Sequence, residues 1–360
     1  MSRAKWAPRR RLLVPAFIGF VVAAIIGGVV GGLIVREWDS DDGSPAPVSS
    51  GAPACSAAKV ADDALRSVVT VRASSSQEGG SGSGVVLRPG GYILTNNHVI
   101  SVAAGGGTVS ILRADGESSD ASIVGRDPLT DLAVIKAKDP SNLPPVALGK
   151  SDALAVGEPV VALGSPLGLT STVTAGIVSA LNRYVRVPSD NGGSAHLVGA
   201  IQTDASINPG NSGGALLDCG ARLVGINTAG ATVPESGGGS IGLGFAIPVD
   251  LAKGIADELI ANGKVTRPSF GLQVQPISEE LAQAVGASPG LFVQAVTAGG
   301  AADKAGLRPG DVIVEIDGDP ARSADDLIVK TLELKAGDVV RLTYHRLGAT
   351  HTASLTLTSG

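Results

Sequence analysis

From Ser67 onward the chain repeats one local design, short β-branched or aliphatic runs cut off by glycine-containing turns: SVVTVRA, GSGVVLRPGGYILT, ASIVG, LAVIKA, PVVALGS, TVTAGIVSAL, RLVGIN and IGLGFAIP. Runs of this length read as strands, and many strands at this spacing fold as a barrel or a sandwich. The 50 glycines supply the turns, while 17% charged and 3% aromatic residues leave no material for a long helical bundle. At 360 residues there is room for more than one core. Helical signals come late. Asp250 opens a stretch whose Leu251, Ile255 and Leu259 share one face, and Gly263 is placed to end it. After Arg267-Pro268 a mixed pattern begins: strand FGLQV, a short helix around Glu279 to Ala284, strands LFVQAV and DVIVEID, a helix from Ser323, then strands VVRLTYH and TASLTLT. Ser323 can cap that helix, and Asp326 suits its positive end.

The N-terminus follows a different rule. Leu12 to Val35 is one uncharged apolar run, long enough to cross a bilayer as a helix. Arg3, Lys5, Arg9, Arg10 and Arg11 precede it and Glu37, Asp39, Asp41 and Asp42 follow, which places the bulk of the chain outside the cytoplasmic membrane. A cleaved signal peptide would have a shorter apolar centre, and Ala52-Pro53-Ala54 lies too far from this one to be its cleavage site. Ser40 to Pro53 has the Ser, Pro, Gly and Asp content of a tether. The expected division is a basic cytoplasmic start over 1–11, a single membrane span over 12–35, a linker over 36–58, a first folded domain over 59–263 and a second over 264–360. A net charge of −5 excludes nucleic acid as the main partner. The two cysteines, Cys55 and Cys219, would lie in an oxidising compartment, either as a disulfide or as two separate thiols. Neither paired metal-ligand spacing nor a phosphate-cradling loop occurs, so no metal or cofactor is expected.

The chemistry concentrates at three places. His98, one of 4 histidines, stands at the end of the strand YILT in ILTNNHVI. Asp131 stands in DPLTDLAVIK, where the apolar LAVI run can bury a carboxylate; Asp127 and Asp120 compete for the same role. Ser212 sits in TDASINPGNSGGALL between glycines that permit unusual dihedrals and close backbone approach. A serine hydroxyl is a weak nucleophile and needs an imidazole to take its proton, with a carboxylate to fix and stabilise that imidazole. The Gly210-Asn211-Ser212 segment can aim backbone N–H groups, those of Gly210 and Ser212 first, at a developing oxyanion.

Together TNNHVI, DLAVIK, INPGNSGG and GFAIP resemble the HtrA (Deg) serine proteases over nearly everything from Ala61 onward. The resemblance implies a mainly β fold, a chymotrypsin-like double six-stranded β-barrel followed by an α+β PDZ domain, here behind one transmembrane helix. It implies an endopeptidase that takes unfolded or membrane-associated proteins, cutting after small aliphatic residues, and a homotrimeric assembly. Two departures bear on this. Chymotrypsin-like zymogens carry an aspartate before the nucleophile, where this chain has Asn211, so activation by N-terminal cleavage is not expected. Ala215 stands where proline commonly follows the two glycines, which alters turn stiffness.

Ser206, six residues before Ser212, replaces the acidic residue with which trypsin-like enzymes grip Lys or Arg. An extended substrate is expected to add as a strand near Ile226, Asn227, Thr228 and Ala229. In the second domain Phe270, Gly271 and Leu272 resemble the carboxylate-binding loop of PDZ domains, with Leu327, Ile328 and Leu332 lining the pocket for C-terminal peptides. Ser189 to His196 and Pro234 to Gly242 are the candidate movable loops through which such binding would regulate cleavage. A PDZ-bearing chaperone or scaffold with secondary or lost proteolysis, and a signalling protease that cuts one membrane-bound regulator, are the competing readings.

Overall fold

The computed structural model describes residues 55–165, 172–228, 240–285 and 288–360. Leu12 to Val35 and the tether fall outside these residues. Among those described, no helix is long and apolar enough to cross a membrane.

Helix α1 (Ala57–Ala64) is capped by the Ser56 side chain and buries Val60 and Ala64. Six strands then close a barrel: β1 (Val68–Ser74), β2 (Gly79–Arg88), β3 (Tyr92–Asn96), β4 (Thr108–Leu112), β5 (Ser118–Asp127) and β6 (Leu132–Ala137), in the order β1-β2-β3-β6-β5-β4. A short helical turn, α2 (Asn97–Ile100), follows β3. Strand β6 shows why its sequence is an unbroken apolar run. Ala133 and Ile135 join one apolar cluster with Val71, Val86, Ile93 and Ile111, while the alternating Leu132 and Val134 join another with Leu163, Leu217 and Leu259. Successive side chains of a strand point to opposite faces, so a strand buried on both needs no polar alternation.

The second barrel comprises β8 (Pro159–Gly164), β9 (Thr172–Pro188), β10 (Ser194–Thr203), β11 (Ala215–Leu217), β12 (Arg222–Thr228) and β13 (Gly244–Pro248). They run β11-β8-β9-β10-β13-β12, and pairing of β12 with β11 closes the ring; the two-residue β7 (Ala147–Leu148) adds parallel to β12. Val160, Ala162, Val178, Ile201 and Leu216 form its apolar cluster. Between the barrels lies the larger cluster, to which α1 and helix α3 (Val249–Asn262) also contribute.

Helix α3 ends as expected, at Gly263 with φ 72°, whose N–H bonds to the Leu259 carbonyl. Its start differs. Asp250 lies inside the first turn and accepts from Ser151 N (2.8 Å), Ser151 Oγ (2.7 Å) and Asp152 N (3.2 Å), so it serves a neighbouring turn. The buried face is Val249, Ala252, Ile255, Ala256 and Leu259, with Leu251 only partly covered.

The second domain has β14 (Pro268–Ser269) paired with β21 (Thr358–Ser359), and a sheet β15 (Leu272–Ile277), β16 (Gly290–Val296), β17 (Val312–Ile316), β19 (Val339–Arg346), β20 (Ala349–Thr356), with β18 (Asp319–Pro320) beside β17. Helices α4 (Glu279–Val285), α5 (Ala301–Lys304) and α6 (Ala324–Glu333) complete it. Helix α6 opens in a capping box: Ser323 Oγ accepts from Asp325 N at 3.1 Å, and Asp326 Oδ2 accepts from Ser323 N at 2.9 Å.

A disulfide joins Cys55 to Cys219, with Cα atoms 5.0 Å apart and a sequence separation of 164. It ties the residue before α1 to the turn between β11 and β12. A cross-link closing so long a loop restricts the unfolded chain strongly. Replacing both cysteines with serine should lower the unfolding free energy by about 2–5 kcal/mol, visible as a lower melting temperature in non-reducing buffer. Equal melting of the two proteins would show that the cross-link carries no stability.

Candidate active site

Asp131 lies in the turn between β5 and β6, directly before Leu132, and is only 2% exposed. Its backbone is left-handed, φ 57°, an uncommon state for a residue with a Cβ and one that Asp tolerates better than most. That conformation is held from outside: the Asp131 carbonyl accepts from Asn97 N (3.1 Å) and Asn96 Nδ2 (2.8 Å). The carboxylate has three donors. His98 N gives to Oδ1 at 2.9 Å, the His98 ring meets Oδ2 through Nδ1 at 2.7 Å, and Thr228 Oγ1 gives to Oδ2 at 3.2 Å. Burial disfavours a charged His98, but the hydrogen bond and charge of Asp131, with Asp190 behind them, outweigh it and raise the imidazole pKa above its ordinary 6.5. The competing carboxylates are spoken for. Asp127 pairs with Thr130 and Arg267, and Asp120 forms an exposed pair with Lys138.

Ser212 is 3% exposed and sits beside the His98 helix turn. A Cβ placed on Gly82 would lie 2.6 Å from a Val99 methyl and 2.9 Å from the Ser212 carbonyl oxygen, so strand β2 threads between them only as glycine. No hydrogen bond joins the Ser212 hydroxyl to the His98 ring; such contacts are commonly loose until substrate is bound. The preceding turn is specific. Asn211 N gives to Asn208 O at 2.9 Å across Pro209 and Gly210, and Gly210 has φ 100°. Proline second and a positive-φ glycine third define a type II turn. Since the Asn211 amide is spent on closing this turn, it drops out of the expected anion-binding set. The amides of Gly210 and Ser212 find no acceptor among the described residues.

The expected substrate strand needs correction. Ile226 pairs with Ala215 on one side and Ile247 on the other, and Asn227 N bonds to Gly214 O, so neither has a free flank. Asn227 instead donates its side-chain amide to the Leu163 and Ala215 carbonyls, a buried brace. Thr228 is paired with Phe245 in the sheet and reaches Asp131. Ala229 lies outside the described residues. Ser206 is half-buried, its carbonyl accepting from Thr174 Oγ1 at 3.0 Å and Asn211 Nδ2 at 3.3 Å. The nearby Asp204 carboxylate is engaged by the Ile177 amide at 2.7 Å.

Residues that sequence reasoning missed hold the Asp131 turn from two directions. The β9–β10 hairpin clasps it: Ser189 Oγ gives to Pro128 O at 3.0 Å, His196 N gives to Leu129 O at 2.8 Å, and Asp190 takes Arg126 and Asn97. His196, expected in a movable loop, is therefore a buried strand residue, 3% exposed. Most of the other candidate loop, from Pro234, falls outside the described residues; Ser240 N within it gives to Asn208 Oδ1 at 2.8 Å. Arg267, in the segment leading to the second domain, gives to Asp127 Oδ1 at 2.9 Å. A basic residue before the second domain was the only sequence signal for this contact.

The second domain also touches the hairpin. Arg186 lies 3.5 Å from Asp325 at the start of α6. Burial, then Asp325, push the Tyr184 phenol up to about 12, and burial with Arg186 nearby lowers the His196 pKa despite Asp325. Tyr184 OH and His196 Nδ1 are hydrogen-bonded at 2.7 Å. In the expected peptide groove Phe270 is a core residue, 5% exposed, its side chain packed in the second domain's apolar cluster. Gly271 has φ 68° and its N–H is taken by Ser269 Oγ at 3.1 Å; Leu272 begins β15, and Leu327 and Ile328 lie on α6.

The trypsin-like peptidase domain family matches residues 82–226, and the PDZ domain family matches 268–357. Serine protease PepD of Mycobacterium tuberculosis is 43% identical over 357 residues, covering 94% of this chain and 75% of PepD. The periplasmic pH-dependent serine endoprotease DegQ of Escherichia coli is 40% identical over 284 residues, covering 77% of this chain and 59% of DegQ. Among solved structures, the HtrA-type protease AlgW with decapeptide superposes with a TM-score of 0.65 at 34% identity, covering 85% of this chain and 99% of that one.

Carbon-detected titration of the four histidines should place the His98 midpoint above 6.5 in the intact protein and lower it in Asp131→Asn, because the carboxylate charge and hydrogen bond favour the protonated ring. An equal or higher midpoint in Asp131→Asn would contradict this account of the pair.

Proposed function

Because the chain belongs to the HtrA (Deg) family of serine proteases, we propose that it is a membrane-anchored, extracytoplasmic endopeptidase whose PDZ domain controls cleavage of unfolded or membrane-associated proteins. Ser212 is the nucleophile, His98 the general base and Asp131 the carboxylate that fixes the imidazole tautomer and stabilises it once charged. The observation that carries this is the Asp131 carboxylate, buried and hydrogen-bonded to the His98 ring at 2.7 Å. With Nδ1–H given to Asp131, Nε2 is left as the basic nitrogen. As substrate enters, His98 takes the Ser212 proton, the oxygen attacks the scissile carbonyl, and the amides of Gly210 and Ser212 receive the oxyanion. His98 then gives the proton to the leaving amine, and water repeats the cycle on the acyl-enzyme.

The absence of a carboxylate at Ser206, with Asp204 already engaged, supports a preference for small aliphatic side chains over basic ones. Leu12 to Val35 and its basic flank support the anchor, and the periplasmic Deg relatives support the outward placement of the folded part. A homotrimer is the assembly the family makes most natural. For regulation, a C-terminal peptide seated between β15 and α6 acts on a helix whose Asp325 faces Arg186 of the hairpin that clasps the Asp131 turn. A peptide that shifts α6 thereby changes how firmly that turn is held.

Full-length protein in detergent should degrade β-casein, and Ser212→Ala should lose at least about four orders of magnitude of that turnover. Equal degradation by both would remove the protease assignment. Peptides with an apolar C-terminus and a free carboxylate should alter turnover while their amidated forms leave it unchanged; indifference to both would discard PDZ control.

A further inference from the structure

We infer that Ser83, a first-barrel residue, is a positioning residue for the oxyanion hole in the second barrel; this rests on the assignment of Ser212 as nucleophile. Ser83 is 0% exposed, and every polar group it has is used. Its N–H gives to the Ser212 carbonyl at 2.8 Å and its Oγ gives to the Gly210 carbonyl at 2.6 Å. The same Oγ accepts from Ser165 N at 2.8 Å, and the Ser83 carbonyl accepts from Thr95 Oγ1 at 2.6 Å. The two carbonyls it holds belong to the two residues whose amides face the developing anion.

The geometry explains what this hold accomplishes. The Gly210–Asn211 peptide is pinned at both ends, its carbonyl by Ser83 Oγ and its N–H by Asn208 O. Glycine at Gly210 is free to take φ of either sign, so the sequence alone does not keep the turn in type II form, with the Gly210 N–H on the side where an anion would sit. The Gly210 N–H belongs to the preceding peptide, so with the following peptide fixed it can turn away only by a flip of the Pro209–Gly210 peptide, and Ser83 anchors the far hinge of that flip. The close approach of the two segments requires glycine at 213, where a Cβ would fall 2.2 Å from the Ser83 carbonyl oxygen.

The support continues behind Ser83. Ser165 Oγ and Thr70 Oγ1 are 2.6 Å apart, and Thr70 is also 0% exposed, so a hydrogen-bonded path runs from the Thr70 hydroxyl to Ser165, whose backbone amide gives to Ser83 Oγ, and on to the Gly210 carbonyl. Replacing Ser83 with alanine leaves the Gly210 oxygen and the Ser165 amide without partners, and relaxation of the turn is how they would find water. The loss falls on the transition state, which needs the anion-binding amides aligned, more than on substrate binding.

The test uses full-length protein in detergent, with active sites counted by a fluorophosphonate. A fluorogenic casein-derived peptide is the substrate, and a peptide ending in a boronic acid analogue of valine is the tetrahedral-adduct probe. Ser83→Ala should lower kcat per active site about 10–100-fold with KM within about twofold, and weaken boronate binding by a similar factor. Ser83→Thr, which keeps the hydroxyl, should recover most of the loss. A merely structural role would reduce the count of active sites or the melting temperature and leave the per-site constants unchanged, which would overturn the proposal. Should Ser83→Ala not fold, Ser83→Cys, a weaker hydrogen bonder of similar size, should show a several-fold fall in kcat, and wild-type kcat there would overturn it equally. Equal turnover by wild type and Ser212→Ala is a separate result that removes the parent assignment and this one together.

Discussion

A carboxylate taken out of water is costly unless hydrogen bonds replace its hydration, and the burial of Asp131 sets that requirement at the centre of the molecule. Three donors meet it: the His98 amide, the His98 ring and the Thr228 hydroxyl. The first two come from α2, directly after β3 in the first barrel, and the third from β12 in the second, so one buried charge is satisfied from both barrels. Asp131 itself adopts a left-handed backbone, and the Asn96 and Asn97 contacts to its carbonyl stabilise what its own dihedral preference would not.

The surrounding turn is over-determined in the same way. Asp127, Pro128 and Leu129 are each held by a group outside the first barrel: Arg267 from the segment entering the PDZ domain, Ser189 and His196 from the β9–β10 hairpin. A strained or uncommon conformation persists when its surroundings fix it. Two contacts from the C-terminal part of the chain, Arg267 of the entering segment with Asp127 and Asp325 of the PDZ domain with Arg186, end on the turn or on the hairpin that clasps it.

Around Ser212 the constraint is steric as well as polar. Gly82, Gly213 and Gly214 lie where a Cβ would strike backbone or side-chain atoms within 3 Å, which lets β2, the Ser212 loop and β8 approach one another at backbone distance. Close approach in turn allows a main-chain donor and a single hydroxyl, both from Ser83, to fix two carbonyls of that loop. Packing and chemistry meet here through main-chain groups, which carry no signature in a list of side chains.

The strands, their turns and the capped helix from Ser323 were legible in the amino-acid order, because each depends on neighbours within a few residues. A β-branched run beside glycine, or serine three residues before an aspartate at a helix start, carries its meaning locally. The pairing of Cys55 with Cys219 was open, since spacing does not reveal which side chains approach. That Ile226 and Asn227 offer no edge to a substrate was not legible, because sheet edges are properties of strand order, and only the pairing of β12 with both β11 and β13 shows that these two have none free. The contacts that Ser83, Thr228 and Arg267 make were beyond reach for a related reason. Each acts through a partner about a hundred residues away or more, and the low-dielectric interior that gives such contacts their strength exists only once the barrels have closed around them.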